Sequence, residues 1–151
     1  MCIRDRDKVV AVNMTGMFLC ARSAARHMIA GGRGGAIVNV ASIMGLSGGL
    51  FPNISYQVTK GAAVNMTRAL ALEWAPHGIR VNAVAPTFVR TRLTAPLFED
   101  PELAERIVAM TPLGRLAEPE DVAAAIAFLA SPAAAMITGC VLPVDGGFLA
   151  Q

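Results

Sequence analysis

The stretch Gly35-Ala-Ile-Val-Asn-Val-Ala-Ser42 is followed, across a loop rich in glycine and serine, by Ser55-Tyr-Gln-Val-Thr-Lys60. The first run is short, β-branched and apolar, with turn residues on both sides, and reads as a buried strand over Ala36–Ala41. The second opens a helical pattern that runs from Ser55 to Ala75 and closes at Pro76-His-Gly78. Another short apolar run, Ile79-Arg-Val-Asn-Ala-Val84, comes next and reads as a second strand. A strand, a long helix and a strand in that order argue for a crossover unit in a parallel sheet.

The rest of the chain extends the same alternation. Upstream, Lys8 to Ala30 reads as a long helix with a seam of small and apolar residues at Val9, Val12, Gly16, Leu19 and Ser23. Arg22 and Arg26 mark its wet side, and Gly31-Gly-Arg-Gly-Gly35 ends it. Downstream, Pro86 to Phe98 is irregular. Asp100-Pro-Glu102 has the form of an N-cap with a first-position proline, opening a helix with Leu103, Ile107 and Met110 on one face. Glu118-Pro-Glu-Asp121 starts a further helix with a stripe of Val122, Ala125, Ile126 and Leu129. Val141-Leu-Pro-Val144 is a last strand, and Asp145-Gly-Gly147 turns out of it.

Composition narrows the possibilities. The 151 residues suffice for one domain, 54% of them are hydrophobic and only 16% charged. That apolar balance implies strands buried on both faces or large subunit interfaces. A net charge of +2 argues against nucleic acid or an anionic membrane as partner. The longest apolar stretch, Val9 to Ala21, is too short to span a bilayer. Cys2, Cys20 and Cys140 lie far apart with no metal-type spacing. They read as reduced cytoplasmic thiols, two of them in the core, and no metal site is expected. His27 and His77 sit near helix ends and read as structural. Residues 1–6 have no signal-peptide character and join abruptly onto the helical pattern, as a foreign or disordered leader would; residues 7–151 form the domain.

The chemistry centres on Tyr56 and Lys60. Four residues apart on a helix, they share a face. An ammonium close to a phenol favours its charged form, so such a tyrosine can exchange a proton with an alcohol or ketone. Ser42, fourteen positions earlier, can hold the same substrate oxygen if it lies opposite. Taken alone, Tyr56 and Lys60 would more often be an ordinary helix-surface pair. With Ser42 they point to carbonyl–alcohol chemistry.

Five stretches in order carry a family resemblance: Val12-Asn-Met-Thr-Gly16, Gly35 to Ser42, Tyr56-Gln-Val-Thr-Lys60, Ile79-Arg-Val-Asn-Ala-Val-Ala-Pro86 and Val144-Asp-Gly-Gly147. The chain resembles the short-chain dehydrogenase/reductase family. The likeness lies nearest to 3-oxoacyl-carrier-protein reductases and gluconate-type dehydrogenases. It implies an α/β fold, the C-terminal part of a Rossmann-type doubly wound parallel sheet whose N-terminal strands lie outside this sequence. It also implies an NAD(P)-dependent oxidoreductase acting on a small secondary alcohol or ketone, with Asn13, Ser42, Tyr56 and Lys60 as catalytic residues. Tyr56 is the acid or base. Lys60 supports it and holds the nicotinamide ribose. Ser42 positions the substrate oxygen, and Asn13 holds a water through its carbonyl.

Tyr56, Lys60, Pro86, Val89 and Thr91 are the implied cofactor contacts, for NAD or NADP. The family's Pro-Gly pair is Pro86-Thr87 here, which is tolerable only if that position needs no positive φ. A glycine-rich dinucleotide fingerprint before Asn13 is not found in the sequence. The resemblance further implies a homotetramer assembled through helices 8–30 and 55–75. Thr87 to Leu116, the irregular stretch between strand and helix beside the tyrosine, is expected to form the substrate lid. Arg90 and Arg92 could favour an anionic substrate, although a solvated loop explains them more simply. The competing expectation is a catalytically silent fragment that only associates with complete subunits.

Overall fold

The computed structural model describes residues 3–49 and 52–151, with backbone alone for residues 3 and 4. Helix α1 (Ile3–Val10) passes into a π-helical turn (Ala11–Gly16) and on into α2 (Met17–Gly31). Strand β1 (Gly35–Val40) follows, then α3 (Ile54–Trp74), β2 (Ile79–Pro86), α4 (Ala95–Phe98), α5 (Pro101–Ala109), α6 (Pro119–Ala130) and β3 (Val141–Val144). The strands form one parallel sheet in the order β1-β2-β3. Gly35 pairs with Ile79 and Val40 with Val84, while Ala83 pairs with Val141.

Strand β2 is central and buried almost throughout, as its unbroken apolar run requires. Ile79 and Val81 meet Ala21 and Ala25 of α2 and Leu70, Ala71 and Trp74 of α3. Further along, Ala83 and Ala85 meet Ala63 and Val64. Alanines at these crossings let α3 lie close to the sheet. Helix α6 touches all three strands and covers the opposite face. The Arg80 guanidinium reaches that side and donates to the carbonyls of Leu129 at 2.8 Å and Ser131 at 3.1 Å. A cation therefore closes the C-terminal end of α6, where the helix dipole favours it.

Two asparagines interrupt apolar strands, and both are satisfied. Buried Asn39 donates to Thr67 Oγ1 at 2.9 Å. Asn82 donates to the Ile137 carbonyl at 2.8 Å and accepts from Cys140 N at 3.0 Å, which fixes the approach to β3. Each such bond adds only about 1 kcal/mol net, but stranding a buried amide costs about 1–3 kcal/mol. Polar residues here select register more than they add stability.

Several expectations need correction. The first helix begins at Ile3, so residues 3–6 of the expected leader are helical; residues 1 and 2 lie outside the described residues. The π-turn inserts an extra residue and rotates the helix face. Val12 and Leu19 of the expected seam are exposed, and Ala21 and Ala25 are the buried positions. Cys20 is exposed and Cys140 only half-buried, so neither thiol is core; Cys2 is outside the described residues. Strand β1 is half-buried rather than buried, because it stands at the sheet edge and Val40 is 45% exposed. The irregular stretch after β2 contains the single helical turn α4.

Candidate active site

The candidate residues gather at the C-terminal ends of β1 and β2. Ala41 N donates to the Val84 carbonyl at 2.8 Å and carries the ladder one step past β1, which sets Ser42 at the sheet's rim. Ser42 is buried and extended, and its Oγ accepts from Met44 N at 3.2 Å. That role leaves the hydroxyl proton free to be donated. The turn Ile43–Gly45 then presses against α3. A Cβ placed on Gly45 would lie 2.5 Å from the carbonyl carbon and oxygen of Lys60. Only glycine allows the Ser42 loop to dock this closely on the helix that bears Tyr56 and Lys60.

Helix α3 starts on Asn53, whose Oδ1 accepts from Tyr56 N and from Ser55 Oγ, each at 3.4 Å. This cap fixes the first turn and with it the direction of Tyr56. Tyr56, Ser42, Asn53, Gln57, Thr87 and Thr94 supply the polar part of a cavity of about 410 Å³. Ile43, Met44, Phe88, Leu93 and Leu97 form its apolar walls. Lys60, one turn along, has its Nζ 5.6 Å from the Tyr56 ring centre and donates to the Val40 carbonyl at 2.8 Å. Partial burial holds the Lys60 ammonium below the usual lysine range.

Asn13 lies in the π-turn, a helical irregularity often found at functional sites. Its Nδ2 donates to Thr59 Oγ1 at 3.2 Å, and Thr59 in turn donates to the Tyr56 carbonyl at 2.9 Å. A chain of two hydrogen bonds thus ties the first helical rod to the backbone of Tyr56. Asn13 and Lys60 share a groove of about 720 Å³ beside β1, apart from the cavity of Ser42 and Tyr56. The four expected catalytic residues therefore divide between two openings, with helix α3 carrying one member of each pair.

The stretch after β2 is more self-contained. Pro86 is buried and pairs with Val144. Val89 forms a parallel bridge with Ala117, and its carbonyl accepts from Thr94 Oγ1. Thr91 Oγ1 lies 3.0 Å from Thr94 Oγ1, so within this structure it is engaged inside its own loop. Thr87 has no positive φ, and the Pro86-Thr87 pair is accommodated without backbone strain. Arg90 pairs with Glu118 at 3.0 Å and lies over the Phe98 ring, which makes it a surface brace for the loop.

Three contributors escaped the sequence reading. Asn53 had a signal, an asparagine just ahead of a helical pattern. Gly45 and Thr59 had none, because each acts through a contact between elements far apart in sequence. Among the described residues no cluster of His, Cys, Asp or Glu could hold a metal ion, and no helix is long and apolar enough to cross a membrane.

A family model described as enoyl-(acyl carrier protein) reductase matches residues 3–149. The chain is 50% identical over 143 residues to a galactitol 2-dehydrogenase (L-tagatose-forming) of Cereibacter sphaeroides, covering 93% of this chain and 56% of that protein. It is 48% identical to a cis-4-hydroxycyclohexanecarboxylate dehydrogenase of Sinomonas cyclohexanicum, covering 95% and 56%. The crystal structure of a gluconate 5-dehydrogenase from Burkholderia cenocepacia J2315, in complex with NADP and tartrate, superposes with a TM-score of 0.96 at 33% identity. That match covers all of this chain and 58% of the other. The chain thus spans little more than half the length of the curated relatives it matches.

Proposed function

The chain belongs to the short-chain dehydrogenase/reductase family, with a Rossmann-type parallel sheet, and on that footing we propose that it interconverts a secondary alcohol and a ketone with NAD or NADP. One observation carries the reading: Ser42 and Tyr56 face a single cavity while Lys60 stands one helical turn behind the tyrosine. In alcohol oxidation Tyr56 Oη takes the hydroxyl proton, and in ketone reduction it returns one. Ser42, anchored through Met44 N, donates to the same oxygen and holds it against the tyrosine. Lys60 stands beside the tyrosine, its Nζ 5.6 Å from the ring centre, where it would hold the cofactor against the reacting pair.

The residues present fit the nicotinamide–ribose end of a dinucleotide. Lys60 commits one of its three donors to the Val40 carbonyl and keeps two for the vicinal hydroxyls of a ribose. Pro86, Val89 and Thr91 are proposed to line the nicotinamide side, which requires Thr91 to release Thr94. When bound, the nicotinamide supplies or accepts the hydride. Asn13 is proposed to complete the site as the anchor of the π-turn, whose carbonyls would hold a water beside Lys60.

The exposed apolar residues Val12, Phe18, Leu19 and Ile29 on the first rod, with Ile54, Val58 and Leu72 on α3, support self-association through these helices. The test of activity is reduction of NAD⁺ or NADP⁺ by a panel of secondary alcohols, followed at the absorbance of the reduced nicotinamide. No turnover with any alcohol or ketone would refute the reading. A second reading, a silent chain that associates with complete subunits, is favoured by the unpaired outer edge of β1. It requires co-elution with a complete subunit and no turnover by the chain alone.

A further inference from the structure

Thr87 is the residue left over from this account. Its backbone N–H is used, donating to the Val144 carbonyl at 3.1 Å. Its hydroxyl oxygen is buried and, among the described residues, is the one buried side-chain N or O atom without a hydrogen-bond partner. A buried hydroxyl is kept without a partner only at a cost, so its partner is expected to come from outside the chain. The residue lines two cavities at once. One is the 410 Å³ cavity of Ser42 and Tyr56. The other, of about 480 Å³, lies over the ends of β2 and β3 beside Thr111, Arg115 and Asp145. In the second cavity Thr111 donates to the Ile107 carbonyl, Arg115 pairs with Asp121, and Asp145 accepts from Gly147 N and Leu149 N, while Glu120 is exposed to water. In the first, Ser42 and Tyr56 are reserved for the reacting oxygen.

Register sets Thr87 at the same rim of the sheet as Ser42. Val40 pairs with Val84, so continuing the parallel register sets Ser42 level with Pro86 and Thr87 one residue beyond it on the neighbouring strand. Adjacent strands lie ~4.8 Å apart, Ser42 and Thr87 line the same cavity, and rotation about the Cα–Cβ bond re-aims the threonine hydroxyl along that wall. We propose that Thr87 is a specificity-determining residue whose hydroxyl bonds a second hydroxyl on the substrate, next to the carbon that reacts. The substrate class is then a vicinal diol or longer polyol rather than a plain carbinol. This deepens the alcohol–ketone reading and rests on it. The apolar walls Ile43, Phe88 and Leu97 meet the carbon skeleton.

The experiment compares kcat/KM for cis-1,2-cyclohexanediol and cyclohexanol in the wild-type protein, Thr87→Val and Thr87→Ser, together with the melting temperature of each protein without ligand. The expected result is a diol-to-monool ratio lowered about thirtyfold in Thr87→Val and restored in Thr87→Ser, the effect of one lost hydrogen bond in a dry site. Because the hydroxyl has no partner in the free protein, Thr87→Val is also expected to melt at the same temperature or higher. An unchanged ratio in Thr87→Val overturns the inference. So does a fall of several degrees in melting temperature, which would show that protein or a fixed water already satisfies the hydroxyl. If the wild type turns over no alcohol or ketone of the panel, the oxidoreductase reading falls and takes this inference with it; if it turns over others of the panel but not the diol, this inference alone falls. If it turns over both and the ratio does not move, only the role of Thr87 falls.

Discussion

Two connections leave the same edge of the sheet, and they are built on different terms. The start of the one after β1, Ser42 to Gly45, is fixed against the scaffold: Ser42 is oriented by Met44 N, and Gly45 lies against the Lys60 carbonyl of α3. The one after β2 is held mostly by itself. Thr94 ties Val89 and Thr91 together, and α4 and α5 pack Leu97, Leu103 and Ile107 into a cluster with Phe88, Leu116 and Phe148 that meets the first connection only at Ile43 and Met44 and α3 at Tyr56. The groups proposed to move a proton stand on or against the first connection, while those proposed to enclose a substrate stand on the second. Chemistry tolerates little misplacement, whereas recognition can be altered by exchanging a loop.

If that division is right, damage to the first connection should strike turnover and damage to the second should strike affinity. The largest effect is expected at Tyr56. Tyr56→Phe keeps the ring but removes the proton, and kcat should fall about 10²–10⁴-fold with KM little changed. Steady-state kinetics on the best alcohol checks this, and unchanged turnover would refute the proposed mechanism. Gly45→Ala comes next. Its methyl would sit 2.5 Å from backbone atoms of Lys60, which cannot swing away as a side chain would. The loop must lift from α3, costing about 1–3 kcal/mol of stability and separating Ser42 from Tyr56. Denaturant unfolding together with kcat measures both effects. A variant as stable and active as wild type would show that the two elements are not coupled here.

What the sequence revealed follows the same line. Elements whose pattern is local were legible: the alternation of strands and helices, the α3 pattern, the Asp100-Pro cap of α5 and the stripe ending at Leu129 all appear near the expected bounds. The candidate site is local in the same sense, since Ser42, Tyr56 and Lys60 lie within one strand–loop–helix unit. The π-turn was not legible, because no residue in Ala11–Gly16 forbids an ordinary α-helix. Val12 and Leu19 of the expected seam are exposed, and spacing alone did not show it. Burial of β1 also failed, since an apolar run does not say how many neighbours a strand has. The bridge from Asn13 through Thr59 to Tyr56 depends on two helices meeting, which spacing along one of them cannot show.

The second connection offers a smaller test. Thr94 Oγ1 accepts from Thr91 N at 3.0 Å and also donates to the Val89 carbonyl. Thr94→Val keeps the shape and removes both bonds, leaving Val89 O and Thr91 N to water. A loss of about 1 kcal/mol in loop order is expected, with KM raised several-fold and kcat nearly kept. An equal fall in kcat with KM constant would place this segment in the transition state, and the contrast between the two connections would then break.

The smallest effect is expected where the second connection ends. Asp121 accepts from Glu118 N at 2.8 Å, closing the capping box of α6, and the Arg115 guanidinium donates to it at 2.7 Å. The hydrogen bond from Arg115, with that from Glu118 N, holds the Asp121 carboxyl at about 2, against an ordinary 3.8. A carboxyl whose pKa is depressed on folding adds stability that is present above its unfolded value. That stability is lost as pH falls toward the folded one, so the α6 cap should weaken only between about pH 4 and pH 2. Both partners are at the surface, where screening by water and salt keeps the effect small. Carboxyl chemical shifts followed by acid titration should place Asp121 well below the exposed carboxylates. Arg115→Ala should return it toward them, while kcat at neutral pH stays as it was. If Asp121 titrates with the other carboxylates in the wild type, Arg115 does not brace this end of the segment, and its order rests on the apolar cluster alone.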